Sequence, residues 1–335
     1  MTLRPTSSAE RQIAAGADDP DAALLHVVQR AEAATTEGLS ELERRATGYL
    51  NAGFPLHLRG PAGSGKTTLA LRIAERIKRP IVLLVGDASF DTRRLVGGDE
   101  VRRTKRVVDR YISSVTKVES QTDSVWLDRA LTIACMEGGT LVYDEFNRAP
   151  PAANNVLLTV LEERLLVLAK SGRGESYLPV HPSFRAIFTS NPTDHVGTNL
   201  AQDALTDRMI TLDLEGFDRE TEIAIAAQRS GLKPADCARI VDTVRDFRAS
   251  RAYAHRPTLR ASIMIARVAA SMKLRVAANE PRFVQLCLDV LASKLKPDRE
   301  GLPDAQSRQL LVQLIDHFCA AEPSQVARAQ RGVAA

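Results

Sequence analysis

The segment GPAGSGKTT, residues 60–68, constrains the fold of this chain more than any other feature. It matches the pattern G-x-x-x-x-G-K-[ST], follows the apolar run LHLR and precedes the helical pattern TTLALRIAERI. Glycines let backbone N–H groups converge on phosphate oxygens, and the following helix adds the partial positive charge of its N-terminus. A glycine-rich turn that only caps a helix is the alternative, but strand, loop and helix stand here in the order that a phosphate loop requires. The segment therefore predicts a nucleotide site.

The residues of this loop are predicted to bind the phosphates of a nucleotide. We expect Lys66 to reach the β- and γ-phosphates and the Thr67 hydroxyl to bind Mg²⁺. The predicted nucleotide contacts in the loop are Gly60, Pro61, Ala62, Gly63, Ser64, Gly65, Lys66, Thr67 and Thr68. A phosphate loop alone does not separate ATPases from kinases, transporters or GTPases, so a second acidic site must decide the class of enzyme.

Short apolar runs alternate with helical patterns from Pro55 to about Asp213. The runs that indicate buried strands are PLHLRG, IVLLV, TLVYD, FRAIFTS and MITLDL. Because the intervening segments are long enough for crossover helices, this alternation predicts an α/β fold with a doubly wound parallel sheet. After Gly216 helical patterns such as ASIMIARVAASMKLRVA take over, so we expect an all-helical C-terminal domain.

Composition and periodicity divide the rest of the chain. The segment 1–21 is polar and lacks apolar periodicity, which predicts a partly flexible extension. Apolar residues at helical spacing between Ala22 and Leu50 predict two helices before the first strand. The predicted divisions are 1–45 (N-terminal extension), 46–216 (α/β core) and 217–335 (helical lid domain), with a basic insert at about 98–126 and a β-hairpin at about 164–183 inside the core.

The run LVYDEFNRAPP places two carboxylates, Asp144 and Glu145, at the end of an apolar strand. Ligands bind at the carboxyl ends of parallel strands, so we expect Asp144 to hold Mg²⁺ through water near the phosphates. The adjacent Glu145 can polarise the attacking water, and it favours hydrolysis because kinases and many transferases do not need a second carboxylate. The structural alternative is that DEFN only caps the helix that APPAANN begins, a role that suits Asn147.

Two later residues are weaker candidates when judged from the residue pattern alone. The strand FRAIFTS is followed by Asn191, whose amide can orient water beside the γ-phosphate, although Asn-Pro is also a common turn pair. The segment DALTDRMITLDL places Arg208 before the next strand. There a surface ion pair with Asp203 or Asp207 explains the arginine as well as catalysis does.

Charge and cysteine content exclude some classes of protein. The 335 residues carry 45 basic and 41 acidic side chains, and a net charge of +4 is too small to make the whole chain a partner of nucleic acid. The four cysteines lie far apart with no C-x-x-C pair, so we expect a reducing, cytoplasmic setting and no zinc. No apolar run approaches the ~18 residues of a membrane span.

The order of GPAGSGKT, LVYDEFNRAPPAANNVLLTVLEER, FRAIFTSNP and DALTDRM, followed by a helical region, resembles the AAA+ ATPases of the MoxR branch. The match covers roughly Gly53 to Gly231. Within that branch, VGDASFDTRRLVGG, KRVVDRYISSV and VHPSFRAIFTSNP are similar to segments of the gas vesicle ATPases. The resemblance implies an AAA+ P-loop core, with a parallel five-stranded sheet flanked by helices, and a C-terminal helical lid.

The same resemblance implies a role for each candidate residue. By this resemblance, Lys66 and Thr67 would bind phosphate and Mg²⁺, and Asp144 would be the acidic metal ligand. Glu145 would be the catalytic base and Asn191 the first sensor. Arg208 matches the arginine finger that completes the site of a neighbouring subunit. In HRPTLRASIMIAR, Arg260 matches the second sensor, and Arg256 is the alternative.

The partners are also implied by resemblance alone. They are other copies of the chain in a homo-oligomeric ring, expected to be a hexamer, and gas vesicle shell or assembly proteins as the client. Three alternatives stay open: a MoxR-type chaperone that activates a metalloenzyme such as rubisco or nitric oxide reductase, a DNA-directed motor, and a scaffold that binds ATP only to assemble. The basic run at residues 101–118 is consistent with a solvated face or a client contact, and less with nucleic acid, because Tyr111 is its only aromatic residue.

Overall fold

The computed structural model describes residues 24–25, 36–112, 115–170, 174–192, 200–297 and 304–320. The strands are β1 (Leu24–Leu25), β2 (Leu56–Arg59), β3 (Ile81–Val85), β4 (Gly97–Ile112), β5 (Val115–Asp128), β6 (Thr140–Asp144), β7 (Leu165–Lys170), β8 (Gly174–Pro179), β9 (Arg185–Ser190) and β10 (Ile210–Asp213). The helices are α1 (Glu37–Asn51), α2 (Lys66–Ile77), α3 (Thr92–Val96), α4 (Ala130–Glu137), α5 (Pro151–Asn154), α6 (Val156–Leu161), α7 (Leu200–Thr206), α8 (Arg219–Ser230), α9 (Pro234–Ser250), α10 (Leu259–Ser271), α11 (Pro281–Ala292) and α12 (Ala305–Phe318).

One sheet forms the centre of the α/β part, in the strand order β1-β3-β6-β9-β2-β10. The five strands from β3 to β10 in that order are parallel, and β1 pairs antiparallel with β3 at the edge. Parallel neighbours need crossover connections, and helices supply them between successive strands. The predicted α/β fold with five parallel strands, and the helical C-terminal region after it, are confirmed.

The strand order decides which residues meet at the carboxyl edge of the sheet. β2 ends at Arg59, directly before Gly60, and its neighbour β9 ends at Ser190, directly before Asn191. The next strand along, β6, ends at Asp144 itself. Three segments that are distant in sequence therefore come together at one edge.

Helices cover both faces of this sheet. One face packs on α1 and α2 through buried residues such as Leu50, Leu58 and Ile73. The other packs on α3 to α6 through a cluster that includes Leu141 and Phe188. Successive residues of a strand point to opposite faces, so both helix layers find an apolar surface.

A buried ion pair holds α1 to the helix that follows the phosphate loop. The Glu43 side chain is 1% exposed, and it contacts Arg72 at 2.6 Å and also Arg76. A buried carboxylate needs such partners because losing one leaves an uncompensated charge. At its other end α1 meets the helical region, since the hydroxyls of Thr36 and Thr221, in the first turn of α8, lie 2.5 Å apart.

Helices α8 to α12 pack around an apolar cluster of their own, which includes Val244, Phe247, Ile265 and Phe283. Asp218 starts the first of these helices by accepting a hydrogen bond from the Thr221 N–H at 2.8 Å. Within the described part of the chain, no helix combines the length and apolar character needed to cross a bilayer.

The four cysteines are free and buried. Burial raises the pKa of the Cys135 thiol to about 12 and that of the Cys319 thiol to about 11. The thiols of Cys237 and Cys287 also have a raised pKa for the same reason.

The N-terminal prediction of two helices is wrong at one point. Leu24 and Leu25 form β1, paired with Val82 and Ile81, and the helix described before β2 is α1. Two adjacent leucines fit the open edge of a sheet as well as a helix face, and periodicity over so short a run cannot separate the two. Residues 1–23 and 26–35 of the predicted extension lie outside the described residues.

Two antiparallel hairpins stand apart from the central sheet. β7 pairs with β8, and the long strands β4 and β5 pair with each other over the segment predicted as a basic insert. The side chains of residues 99–127 lie outside the description. The basic run within that segment, and its contacts, therefore stay predictions.

Candidate nucleotide site

The loop after β2 closes around the N-terminus of α2. Gly63 and Gly65 both have a positive φ, in the region that favours glycine, and Gly65 directly precedes the helix. Lys66 is buried, and its Nζ donates to the carbonyl oxygens of Gly60 and Pro61, both at 2.8 Å. A helix N-terminus with a lysine beside it suits an anionic phosphate chain. The structure thus gathers the predicted loop residues around one anion-binding position.

The metal ligands predicted from sequence lie in direct contact. Thr67 Oγ1 donates to both carboxylate oxygens of Asp144 at 2.8 Å. Thr189, on β9, donates to Oδ1 of the same carboxylate. Hydroxyl and carboxylate oxygens are the ligands that Mg²⁺ takes beside a nucleotide. This donor set fits a magnesium ion.

Glu145 has a positive φ, a backbone conformation that is uncommon for a residue other than glycine. Its N–H donates to Thr189 Oγ1 at 2.9 Å, and its carbonyl oxygen packs so close to Gly86 that a Cβ there would lie 2.5 Å away. Its Oε2 accepts a hydrogen bond from Arg148 at 2.6 Å, and the side chain is 35% exposed. The turn therefore separates the two carboxylates: Asp144 meets the loop, and Glu145 stays partly open to solvent.

Asn191 lies at the same edge of the sheet and is 5% exposed. Its carbonyl oxygen accepts a hydrogen bond from the Asn147 amide at 3.3 Å. The carbonyl oxygen of the preceding residue, Ser190, accepts the Gly60 N–H at 3.2 Å, which joins the end of β9 to the start of the phosphate loop. The predicted sensor is thus placed between the acid pair and the loop.

Arg208 lies at the opposite end of the sheet from this site. Arg208 precedes β10, and the first residue of β10 pairs with the first residue of β2. The phosphate loop, in contrast, follows the last residue of β2. Its Nε and Nη2 contact Glu162 at 2.7 and 2.6 Å, and its Nη1 donates to the Ala204 carbonyl at 2.7 Å. Glu162 is a partner that the residue pattern did not predict. The structure does not bring Arg208 to the phosphate loop of its own chain.

A cleft lies between the phosphate loop and the helical region. Pro61 and Gly63 line it from the loop, and Arg256 and Thr258 line it from the segment before α10. Arg260, the second residue of α10, is exposed and is not among the lining residues. Of the two sensor candidates, the structure places Arg256 at the cleft.

Comparison with known proteins identifies the family of this chain. The family model described as AAA domain (dynein-related subfamily) matches residues 55–209. The gas vesicle ATPase GvpN of Ancylobacter aquaticus is 50% identical over 286 residues, which cover 85% of this chain and 80% of that protein. The chain belongs to the GvpN family.

A second relative agrees with membership of the GvpN family. The gas vesicle ATPase GvpN of Haloferax mediterranei is 40% identical over 78% of this chain and 74% of that protein. Among solved structures, the RuvB Holliday junction branch migration motor of Thermotoga maritima aligns with a TM-score of 0.47 and 18% identity, over 85% of this chain and 77% of that chain. As a member of the GvpN family with an AAA domain, the chain is an ATP hydrolase, as the sequence predicted.

Two parts of this GvpN-family site were not predicted from the sequence. Thr189 bonds both members of the acid pair, and its only signal was a hydroxyl inside an apolar strand. Arg248, on α9, donates to Glu222 at 2.9 Å and to the Pro257 carbonyl at 2.8 Å. That pair holds the segment before α10 in place beside the cleft. It could not be predicted because its two residues lie on separate helices, so no local sequence pattern connects them.

Gly63→Ala is expected to raise the KM for ATP about tenfold, because the added methyl group would push the loop and the helical region apart. A Cβ at this position would lie 2.5 Å from Thr258 Oγ1. Gly231→Ala is the matched control. Gly231 also has a positive φ, but an added Cβ atom there would meet no atom within 4 Å, so this variant has the backbone strain without the clash. Steady-state ATPase assays measure both, and adding Thr258→Ala, which removes Oγ1 but keeps Cβ, should lower the KM of Gly63→Ala part of the way toward the wild-type value. An unchanged KM in Gly63→Ala would show that loop and helical region need not touch.

Proposed function

We propose that this chain uses ATP hydrolysis to remodel or assemble a protein client during the formation of gas vesicles. The observation that carries the proposal is the contact of Thr67 with Asp144 beneath a phosphate loop, in a chain of the GvpN family. A carboxylate held against the loop threonine suits a triphosphate with its metal ion. Relatives named as gas vesicle ATPases support the biological setting.

In the proposed mechanism, Lys66 and the first-turn N–H groups of α2 bind the β- and γ-phosphate oxygens. Thr67 and Asp144 would hold Mg²⁺, which would supply positive charge beside the phosphates. Glu145 accepts a proton from the attacking water, and the Asn191 amide orients that water. The left-handed turn at Glu145 favours this division, because it lets adjacent carboxylates serve the metal and the water separately.

We further propose that the site is completed by a second copy of the chain in a ring, which we expect to be a hexamer. Arg208 lies at the amino end of an edge strand, away from the phosphate loop of its own chain. A guanidinium there suits the γ-phosphate of a neighbouring subunit, where it stabilises charge in the transition state. Its ion pair with Glu162 is partly exposed and therefore weak enough to exchange for that contact.

The helical region, residues 217–335, is proposed as the lid that converts hydrolysis into movement. It contacts the phosphate loop across the cleft, where Thr258 meets Gly63. Nucleotide binding in this cleft would change the angle between lid and core, and Arg256, which lines the cleft, would sense the phosphates. The hairpins β4–β5 and β7–β8 are the elements that such a movement would carry against a client.

The proposed client is a gas vesicle shell or assembly protein in the cytoplasm. This choice rests on the similarity of the chain to gas vesicle ATPases. The predicted basic run suits an acidic or amphipathic segment of such a client better than nucleic acid, because base stacking would need more aromatic residues than Tyr111.

The test is vesicle formation in cells that carry all gas vesicle genes except the one for this ATPase. The wild-type gene should restore vesicles in electron micrographs, whereas Lys66→Ala should not, because the charge that binds the β/γ-phosphates is lost. Lys296→Ala, at an exposed lysine outside the site, is the control. Normal vesicles with Lys66→Ala would overturn the proposal, and normal vesicles with Glu145→Gln would show that ATP-dependent assembly suffices without hydrolysis.

A further inference from the structure

His57 is a buried histidine in the middle of the sheet. It lies on β2, between β9 and β10, and is 2% exposed. Burying an imidazole costs free energy unless both ring nitrogens find partners, and an apolar residue would fill the same place without that cost. The other residues of this strand that are buried are leucines, Leu56 and Leu58. Packing alone therefore does not explain why a histidine occupies this position.

Both ring nitrogens have partners, and these lie on the two neighbouring strands. Nε2 lies 2.8 Å from Ser190 Oγ on β9, and Nδ1 lies 3.1 Å from Thr211 Oγ1 on β10. A third contact is apolar, because the ring packs edge-on against Phe146 with centroids 5.4 Å apart. One side chain thus bridges three segments of the core.

Each contacted residue lies close in sequence to a proposed catalytic residue. Ser190 directly precedes Asn191, and Phe146 directly follows Glu145. Thr211 belongs to the strand that begins just after Arg208. The bridge therefore connects the backbone segments that carry the proposed sensor, base and arginine finger.

The electrostatic surroundings keep this bridge uncharged. Burial lowers the pKa of His57 to about 4, the nearby Arg59 lowers it as well, and Asp213 opposes them. Near neutral pH the ring is therefore neutral, with one N–H donor and one acceptor. Hydroxyls can donate or accept, so Ser190 and Thr211 satisfy the ring in either tautomer.

We propose that His57 is a positioning residue for ATP hydrolysis, which sets β9 and β10 relative to each other and so places Asn191 within its own site and Arg208 toward the neighbouring one. The inference rests on the roles proposed above for Asn191 and Arg208. His57 touches no atom of the phosphate loop in the described contacts, so its effect should fall on kcat and not on ATP binding. A structural role alone would not produce that separation.

The first test is steady-state ATP hydrolysis by variants that each remove one hydrogen bond of His57. We call the bond to Ser190 the Ser190 arm and the bond to Thr211 the Thr211 arm. Ser190→Ala and Thr211→Val should each lower kcat about five- to tenfold while KM for ATP stays within about twofold of wild type. His57→Leu should have the larger effect, and adding Ser190→Ala to it should change nothing further, because the partner is already gone. Thr140→Val is the matched control, since Thr140 is a fully buried threonine of the same sheet whose hydroxyl has no described hydrogen-bond partner.

Conservative replacements separate the two arms. His57→Gln places an amide near the Nε2 position and should retain the effect of the Ser190 arm, whereas His57→Asn places one near Nδ1 and should retain the Thr211 arm. Mixed rings then assign each arm to a site. An excess of Lys66→Ala subunits, which carry an intact Arg208, should rescue Thr211→Val but not Ser190→Ala.

Two outcomes would overturn the inference. One is an unchanged kcat in Ser190→Ala, Thr211→Val and His57→Leu. The other is a lower kcat in His57→Leu alone, together with a melting temperature lowered by more than about 5 °C, because that combination would indicate a role in packing only. The proposed function is tested separately by Asn191→Ala and Arg208→Ala. If those two variants lose activity while the bridge variants do not, the proposed site stands and the inference about His57 fails.

Discussion

Glu145→Gln is expected to lower kcat for ATP hydrolysis by about 100-fold or more while ATP still binds. Glutamine keeps the shape of the side chain but cannot accept a proton from the attacking water at neutral pH. We expect Lys66, Thr67 and Asp144 to remain in place, because the hydrogen bonds described for them run to the loop carbonyls and to one another. Phosphate release measures the rate, and a fluorescent ATP analogue measures binding.

The control for this variant is Glu137→Gln, at an exposed position on the last residue of α4. It makes the same chemical change outside the site and should hydrolyse ATP at the wild-type rate. A parental rate in Glu145→Gln would mean that another group activates the water. Loss of both rate and binding would mean that the turn at Glu145 supports the loop instead of the chemistry.

Arg208→Ala is expected to lower kcat by about 1,000-fold, because an arginine that neutralises charge in the transition state of phosphoryl transfer contributes this much or more. The affinity for ATP should change little, since the arginine is proposed to act on charge that develops in the transition state and not in the bound ground state. Losing the partly exposed ion pair with Glu162 should cost about 1 kcal/mol of folding stability or less. Hydrolysis and thermal unfolding measure the two effects.

Mixed rings decide whether Arg208 acts on a neighbouring subunit. Arg208→Ala subunits lack the arginine, and Lys66→Ala subunits lack the phosphate-binding lysine, so neither ring should hydrolyse ATP alone. A mixture should recover activity, because a Lys66→Ala subunit supplies an intact Arg208 to the loop of its neighbour. Arg219→Ala, which removes an exposed arginine paired with Asp242 at 2.6 Å, is the control and should stay active. Failure of the mixture where wild-type subunits in the same ring remain active would rule out the role in trans.

The nucleotide site could be predicted from sequence because its parts are local. Lys66 and Thr67 belong to one nonapeptide, and Asp144 ends a strand whose apolar run is plain. Strand order then brings the parts together, and a parallel sheet leaves few alternatives for the edge at which ligands bind. Contacts between side chains on different strands could not be predicted in this way. His57 lies 133 residues from Ser190 and 154 from Thr211, and only the register of β2 with its two neighbours makes them meet.

The hairpin of β4 and β5 shows a second limit of prediction from sequence. Charge marked this segment as an insert, but no strand was predicted there. Its pairing shifts register between Val101 and Arg103 and again between Arg110 and Ile112. Such irregularities in pairing are not visible in a sequence, where strands are detected by regular alternation.

The burial of the four cysteines has a practical consequence for spectroscopy. Thiol reagents attack the exposed thiolate, so Cys135, Cys237, Cys287 and Cys319 should react slowly in the native protein. A new cysteine at Tyr177 on β8, which is 62% exposed, or at Met264 on α10, which is 48% exposed, would be the fastest thiol to react. Dyes or spin labels attached there would measure the distance between hairpin and helical region during turnover, without removal of any native cysteine.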